Sequence, residues 1–155
     1  MNKTCYITGY TTGIGKLFYD YFRHMGWTVV GYNTTTGLDT VIQDAQGCDL
    51  FINNSYAGGR QLDLFNQLFA SVKKMIVCGS IVSDYPDATL PAYSQHKKEL
   101  EQRILDITTD PTHTHADILL LKLTSNSYKD EKTLLDTIEF WLEHPTINTI
   151  GFNVE

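Results

Sequence analysis

Thr4 to Gly26 reads "TCYITGYTTGIGKLFYDYFRHMG", and the order of its parts decides the fold. "TCYIT" is a short apolar run of strand length, and "GKLFYDYFRHMG" is an amphipathic helix that stops at Gly26. Gly9, Gly13 and Gly15 lie at the junction. A strand, a glycine-rich turn and a helix N-terminus in succession make an anion site, because free N–H groups and the positive end of the helix dipole point at one place. Gly9 permits the tight turn, Gly13 the close approach of a pyrophosphate, and Gly15 close packing of helix on strand. Taken alone, such a pattern is equally a plain glycine-containing loop, so the rest of the chain has to decide.

Downstream, strand-length apolar runs alternate with helix-period segments. The strands are expected at Thr4 to Thr8, Thr28 to Asn33, Asp49 to Ser55, Met75 to Ser80, Asp117 to Leu123 and Thr149 to Val154. The helices are expected at Gly15 to His24, Thr40 to Gln46, Gln61 to Val72, Ala92 to Ile107 and Glu131 to Leu142. The strands are continuous apolar runs, as strands covered on both faces should be. The pattern predicts a single-domain, doubly wound α/β fold with a mostly parallel sheet.

Composition narrows the function classes. The 155 residues are 42% hydrophobic and 19% charged, which suits one ordinary globular domain. The net charge is −6, and the longest basic cluster is a Lys-Lys pair, so a nucleic-acid footprint is not expected. No apolar run reaches the length of a membrane span, and no signal-peptide core precedes the first strand. Cys5, Cys48 and Cys78 are odd in number and far apart, which fits buried reduced thiols in a cytoplasmic protein.

Four motifs in order carry a family resemblance. "TGYTTGIG" has the T-G-x3-G-x-G spacing, and "INNS" at Ile52 to Ser55 looks like N-N-A-G after a strand. "YSQHK" supplies a Y-x3-K pair, Tyr93 and Lys97, and Ser80 ends a strand thirteen residues before Tyr93. Together they resemble the short-chain dehydrogenase/reductase family over essentially the whole chain. The resemblance implies a Rossmann-like fold, a bound NAD or NADP, and hydride transfer to or from a small carbonyl or alcohol substrate. It implies that Ser80, Tyr93 and Lys97 are catalytic. The cofactor would be met by Gly9, Thr12, Gly13, Ile14, Gly15, Asn33, Thr34, Asp39, Asn53, Asn54, Tyr93, Lys97 and Thr124.

The chemistry explains those residue types. Tyr93 and Lys97 stand one helical turn apart on one face. A phenol titrates near pH 10, too high for easy proton exchange at neutrality. A neighbouring ammonium stabilises phenolate, and lowering the phenol by about 2–3 units takes roughly 3–4 kcal/mol. Tyr93 then acts as general acid in reduction or base in oxidation, and Ser80 hydrogen-bonds the substrate oxygen. The lysine would also hold the nicotinamide ribose.

The departures are as informative. The chain is shorter than common family members, and one helix is missing after the second strand. Leu38-Asp39 reads as a remnant of a third strand, with Asp39 either at the adenine or serving as a helix N-terminal carboxylate. At the end of the second strand, neither an acid nor an arginine stands at Asn33 or Thr34, which tips the cofactor slightly towards NADP. "KLTSNSYKDEKTL" lacks the usual Pro-Gly and the length for a substrate lid. A homo-oligomer, dimer or tetramer, could supply the missing wall. Asn66 is the one candidate for a fourth catalytic residue, and it is equally a surface polar group. Arg60 follows the third strand here and could meet an anion or simply be solvated. His113 and His115 read as a solvated turn rather than a metal pair. The competing function, from a different class, is a catalytically silent NAD(P)-binding redox sensor or regulatory module.

Overall fold

The computed structural model describes residues 2–80, 88–124, 130–145 and 149–151. Strands β1 (Thr4–Thr8), β2 (Thr28–Tyr32), β3 (Leu50–Asn53), β4 (Lys74–Ser80), β5 (Asp117–Leu123) and β6 (Thr149–Gly151) build one sheet. Helices α1 (Gly13–His24), α2 (Leu38–Ala45), α3 (Arg60–Leu68), α4 (Pro91–Thr109) and α5 (Glu131–Glu143) alternate with them. The sheet order is β2-β1-β3-β4-β5-β6, and each neighbouring pair is parallel. The doubly wound α/β expectation therefore holds. Residues 152–154 of the last expected strand lie outside the described residues.

The continuous apolar runs are explained by burial on two faces. In β3, Leu50 and Ile52 pack with Phe18, Phe22, Ile138 and Trp141 of α1 and α5. Phe51 between them packs with Val41, Leu64, Leu68 and Ile104 of α2, α3 and α4. Each such side chain contributes about 1.5–3 kcal/mol by leaving water, so a polar residue in either register would be costly. Of the five helices only α5 has a side-chain N-cap among the described residues: Asp130 accepts a hydrogen bond from the Thr133 N–H at 3.2 Å. All three cysteines are buried free thiols, and burial pushes Cys48 and Cys78 up to about 12.

One expectation is corrected. Leu38 and Asp39 are not a strand remnant; they open α2. The reason is periodic: Leu38, Val41, Ile42 and Ala45 form a helical stripe against the core around Tyr32 and Phe51. Asp39 is exposed in the first helical turn, where a carboxylate complements the helix dipole. Among the described residues no strand flanks β2, which is an edge of the sheet. Gly31 within β2 has no room for a side chain, since a Cβ there would lie 2.3 Å from the Tyr10 ring.

Candidate active site

From β1 the chain crosses to β2 on one side and returns to β3 on the other, so the strand order reverses at β1. In open parallel sheets, the crevice beyond the strand C-termini at such a reversal is where ligands bind. The glycine turn occupies that place. Gly9 and Gly13 have φ of 70° and 56°, left-handed values that favour glycine. Gly9 donates its N–H to the Tyr32 carbonyl at 2.8 Å, which holds the turn over the end of β2. A Cβ on Gly15 would stand 1.8 Å from the Gly9 oxygen, so Gly15 lets helix and turn close on one another. Gly13 has nothing within 4 Å of where its Cβ would be. Thr12 is the N-cap of α1 but makes no side-chain cap. Helical geometry leaves the N–H groups of Gly13, Ile14 and Gly15, in the first turn of α1, without an intrahelical acceptor.

The N-N-S segment braces this turn. Asn54 donates its side-chain amide to the carbonyls of Thr8 and Gly9, each at 3.2 Å. The Thr8 hydroxyl oxygen accepts the N–H groups of Asn54 and Ser55, both at 3.1 Å. Asn53 is fully buried, and its amide donates to the Gln61 carbonyl at 2.9 Å. These two asparagines therefore tie β3 to the glycine turn and to α3.

At the N-terminal end of α4 the buried stripe of Ile107, Ile104 and Leu100 continues into Lys97 and Ser94. Helical spacing thus carries a lysine onto the core-facing side. Lys97 is only 5% exposed, and its ammonium donates to the Cys78 carbonyl at 2.9 Å and to the Gln61 side-chain oxygen at 2.6 Å. Desolvation lowers it to about 8, opposed by the nearby Cys78. The ammonium lies 5.5 Å from the centre of the Tyr93 ring. Cys78 is two residues before Ser80, which ends β4 and is also buried. Tyr93, Lys97 and the strand of Ser80 are thus brought together towards the C-terminal ends of the strands, the side of the sheet that carries the glycine turn.

Asn33 is exposed, and its side-chain oxygen accepts from the N–H of Thr35 at 3.0 Å and from the hydroxyl of Thr35 at 2.6 Å. It organises its own loop as an Asx turn. Arg60 reaches across to that loop, donating to the Thr36 carbonyl at 2.6 Å and the Thr34 carbonyl at 3.5 Å. Thr124 follows β5 directly. Residues 125–129 of the shortened lid segment lie outside the described residues. Asn66 is on the outer side of α3, accepting from Arg103 at 2.8 Å, and has no part in this cluster. His113 stands 3.5 Å from Asp110, and no metal-binding group of side chains occurs among the described residues.

Three residues at the site lie outside the expected set. Tyr56 packs edge-on against Tyr93, with ring centres 4.7 Å apart, and its hydroxyl is 2.8 Å from His96 Nδ1. Gln61 binds Lys97. The one sequence signal was the tyrosine in N-N-S-Y, where the family pattern N-N-A-G has glycine. Nothing in "AGGRQLD" marks Gln61, whose partners lie up to 36 residues away.

No protein-family model matches the sequence, and no curated protein matches it. Solved structures do match in shape. A 3-ketoacyl-(acyl-carrier-protein) reductase from Brucella melitensis complexed with NADH aligns at a TM-score of 0.75 and 13% identity, over 96% of each chain. A 3-alpha-hydroxysteroid dehydrogenase from a Pseudomonas species, complexed with NADH, aligns at 0.71 and 15% identity over 96% of this chain and 94% of its own. A Brucella ovis oxidoreductase of the short-chain dehydrogenase/reductase family, with a partially ordered NAD, aligns at 0.72 and 15% identity over 99% of this chain and 100% of its own. The likeness is one of fold. No helix among the described residues is long and apolar enough to cross a membrane.

Proposed function

We propose that this chain, built on the short-chain dehydrogenase/reductase fold, is a nicotinamide-dependent oxidoreductase acting on a small carbonyl or alcohol. The observation that carries the proposal is the convergence of two features on the side of the sheet where the strands end. One is the open glycine turn at the head of α1, and the other is a buried lysine one turn from Tyr93 on α4. The residues fit a dinucleotide: Gly13 leaves space where any other residue would put a side chain, and uncapped N–H groups surround it. Bound there, the nicotinamide supplies or accepts the hydride.

The protein's own residues do the rest. Gly9 and Thr12 to Gly15 would hold the phosphates, with Asn54 bracing the turn. Lys97, charged below about pH 8 and excluded from water, stabilises the phenolate of Tyr93 electrostatically. Tyr93 passes a proton to the carbonyl oxygen in reduction, or takes it from the alcohol in oxidation. Ser80 donates a hydrogen bond to the same oxygen as charge develops on it. Thr124 would meet the carboxamide, and a neighbouring subunit of a homo-oligomer would close the substrate side.

NADP is the favoured cofactor. No carboxylate stands at Asn33 or Thr34 to repel a 2′-phosphate, and the Arg60 guanidinium lies against that loop. The test of the reaction is Tyr93→Phe, which removes the hydroxyl and keeps the ring. Turnover of an aldehyde, ketone or alcohol substrate should fall by about 10²–10⁴-fold with cofactor affinity nearly unchanged. A variant as active as wild type would refute the mechanism.

A further inference from the structure

Lys97 is a buried cation with two named oxygen partners, and neither is a carboxylate. Two aromatic rings also face it: the ammonium lies over Tyr93 at 5.5 Å and Tyr56 at 5.8 Å. One oxygen, the Cys78 carbonyl, is fixed by the sheet. The other belongs to a side chain, and that side chain has no freedom. Gln61 is buried, and its amide nitrogen donates to the Asn53 carbonyl at 2.9 Å and to the Cys78 carbonyl at 3.0 Å. Turning the amide over would set its oxygen against two carbonyls and its NH₂ against an ammonium. The Gln61 backbone carbonyl in turn accepts from Asn53 at 2.9 Å, so the clasp closes on itself. With both N–H groups used, the Gln61 oxygen can only face Lys97.

We propose that Gln61 is a positioning residue for Lys97, its locked side-chain carbonyl holding the ammonium between the head of β4 and the Tyr93 ring. Glutamine suits the task better than glutamate. A carboxylate would pair with the ammonium and cancel the charge that Tyr93 needs, and it would face two backbone carbonyls with no hydrogen to give. A neutral acceptor fixes the lysine and leaves its charge to act on the phenol. Among the described residues, the titratable groups that face the ammonium are Tyr93 on its own helix, Tyr56 before α3 and Cys78 on β4. The effect of Gln61 on turnover rests on the oxidoreductase proposal; its effect on the lysine does not.

The test follows the lysine itself. In protein labelled with ¹³C and ¹⁵N lysine, the Lys97 resonance is identified by its loss in Lys97→Met and titrated in wild type, Gln61→Met and Gln61→Glu. Gln61→Met should move the Lys97 midpoint down by about 1–2 pH units, the worth of a hydrogen bond to a charged group. Gln61→Glu should move it up, through the new ion pair. A residue that only braced the fold would lower the melting temperature without shifting the lysine in opposite directions. Both variants should also lose turnover by about 10–100-fold. An unmoved Lys97 midpoint in either folded variant overturns the proposal, as does a wild-type Lys97 that titrates like an exposed lysine. A wild type that binds no dinucleotide refutes the enzyme proposal, while the lysine titration still decides the role of Gln61.

Discussion

Replacing Lys97 with Met should change how stability depends on pH, and the size can be worked out. In the unfolded chain the amine has its ordinary value of 10.5, whereas burial lowers it to about 8 in the fold. Between those limits the unfolded state binds more protons, so wild-type stability gains from this group as pH rises. Below about pH 8 the cost of holding the ammonium in the core is present in full. It is relieved progressively up to about pH 10.5, with a slope approaching 1.4 kcal/mol per pH unit and a total of about 3 kcal/mol. Methionine fills the space of the lysine stem but leaves the Gln61 side-chain oxygen without its donor, while the Cys78 carbonyl keeps the Gln61 N–H, a pH-independent cost of about 1–3 kcal/mol. Urea unfolding of both proteins under reducing conditions, from neutral to alkaline pH, gives the comparison. Other lysines and tyrosines titrate in the same range, but they are shared and cancel in the difference. Wild type should gain on Lys97→Met as pH rises through that window. Parallel curves would refute the buried, charged lysine.

Other substitutions separate the two jobs of the glycine turn and its neighbours. Gly15→Ala should destabilise by about 1–3 kcal/mol or more, because the new carbon meets the Gly9 backbone oxygen rather than a yielding side chain; an unchanged unfolding midpoint would contradict the packing. Arg60→Met should weaken NADPH about tenfold or more relative to NADH. Asn33→Asp should shift preference the same way by about 1–2 kcal/mol. Equal losses for both cofactors, measured as dissociation constants, would remove these residues from the 2′ site.

The sequence made the sheet legible because parallel strands buried on two faces are written as unbroken apolar runs, as in "DILLLKL" and "MIVCGS". The glycine turn was legible because its backbone conformations demand particular residues at fixed spacing. Leu38-Asp39 was misread because the family's missing strand suggested a remnant, while the stripe through Val41, Ile42 and Ala45 already spelled a helix. The local use of the Asn33 side chain was legible too, since "NTTTG" has the form of an Asx turn. The Gln61 clasp and the Tyr56 ring were hidden for another reason. Their partners lie across the fold, on β3, β4 and α4, and no local periodicity encodes such contacts.

The central claim is that the turn from Gly9 to Gly15 binds a nicotinamide dinucleotide, and fluorescence titration of NADPH and NADH tests it most directly. Wild type should bind both, with NADPH at least as tight. Gly13→Val should lose both, since its side chain enters open space that the pyrophosphate would occupy, and should keep a cooperative unfolding transition at a lower midpoint, because a φ of 56° strains a β-branched residue. Wild-type protein that binds neither cofactor at millimolar concentration would contradict the claim.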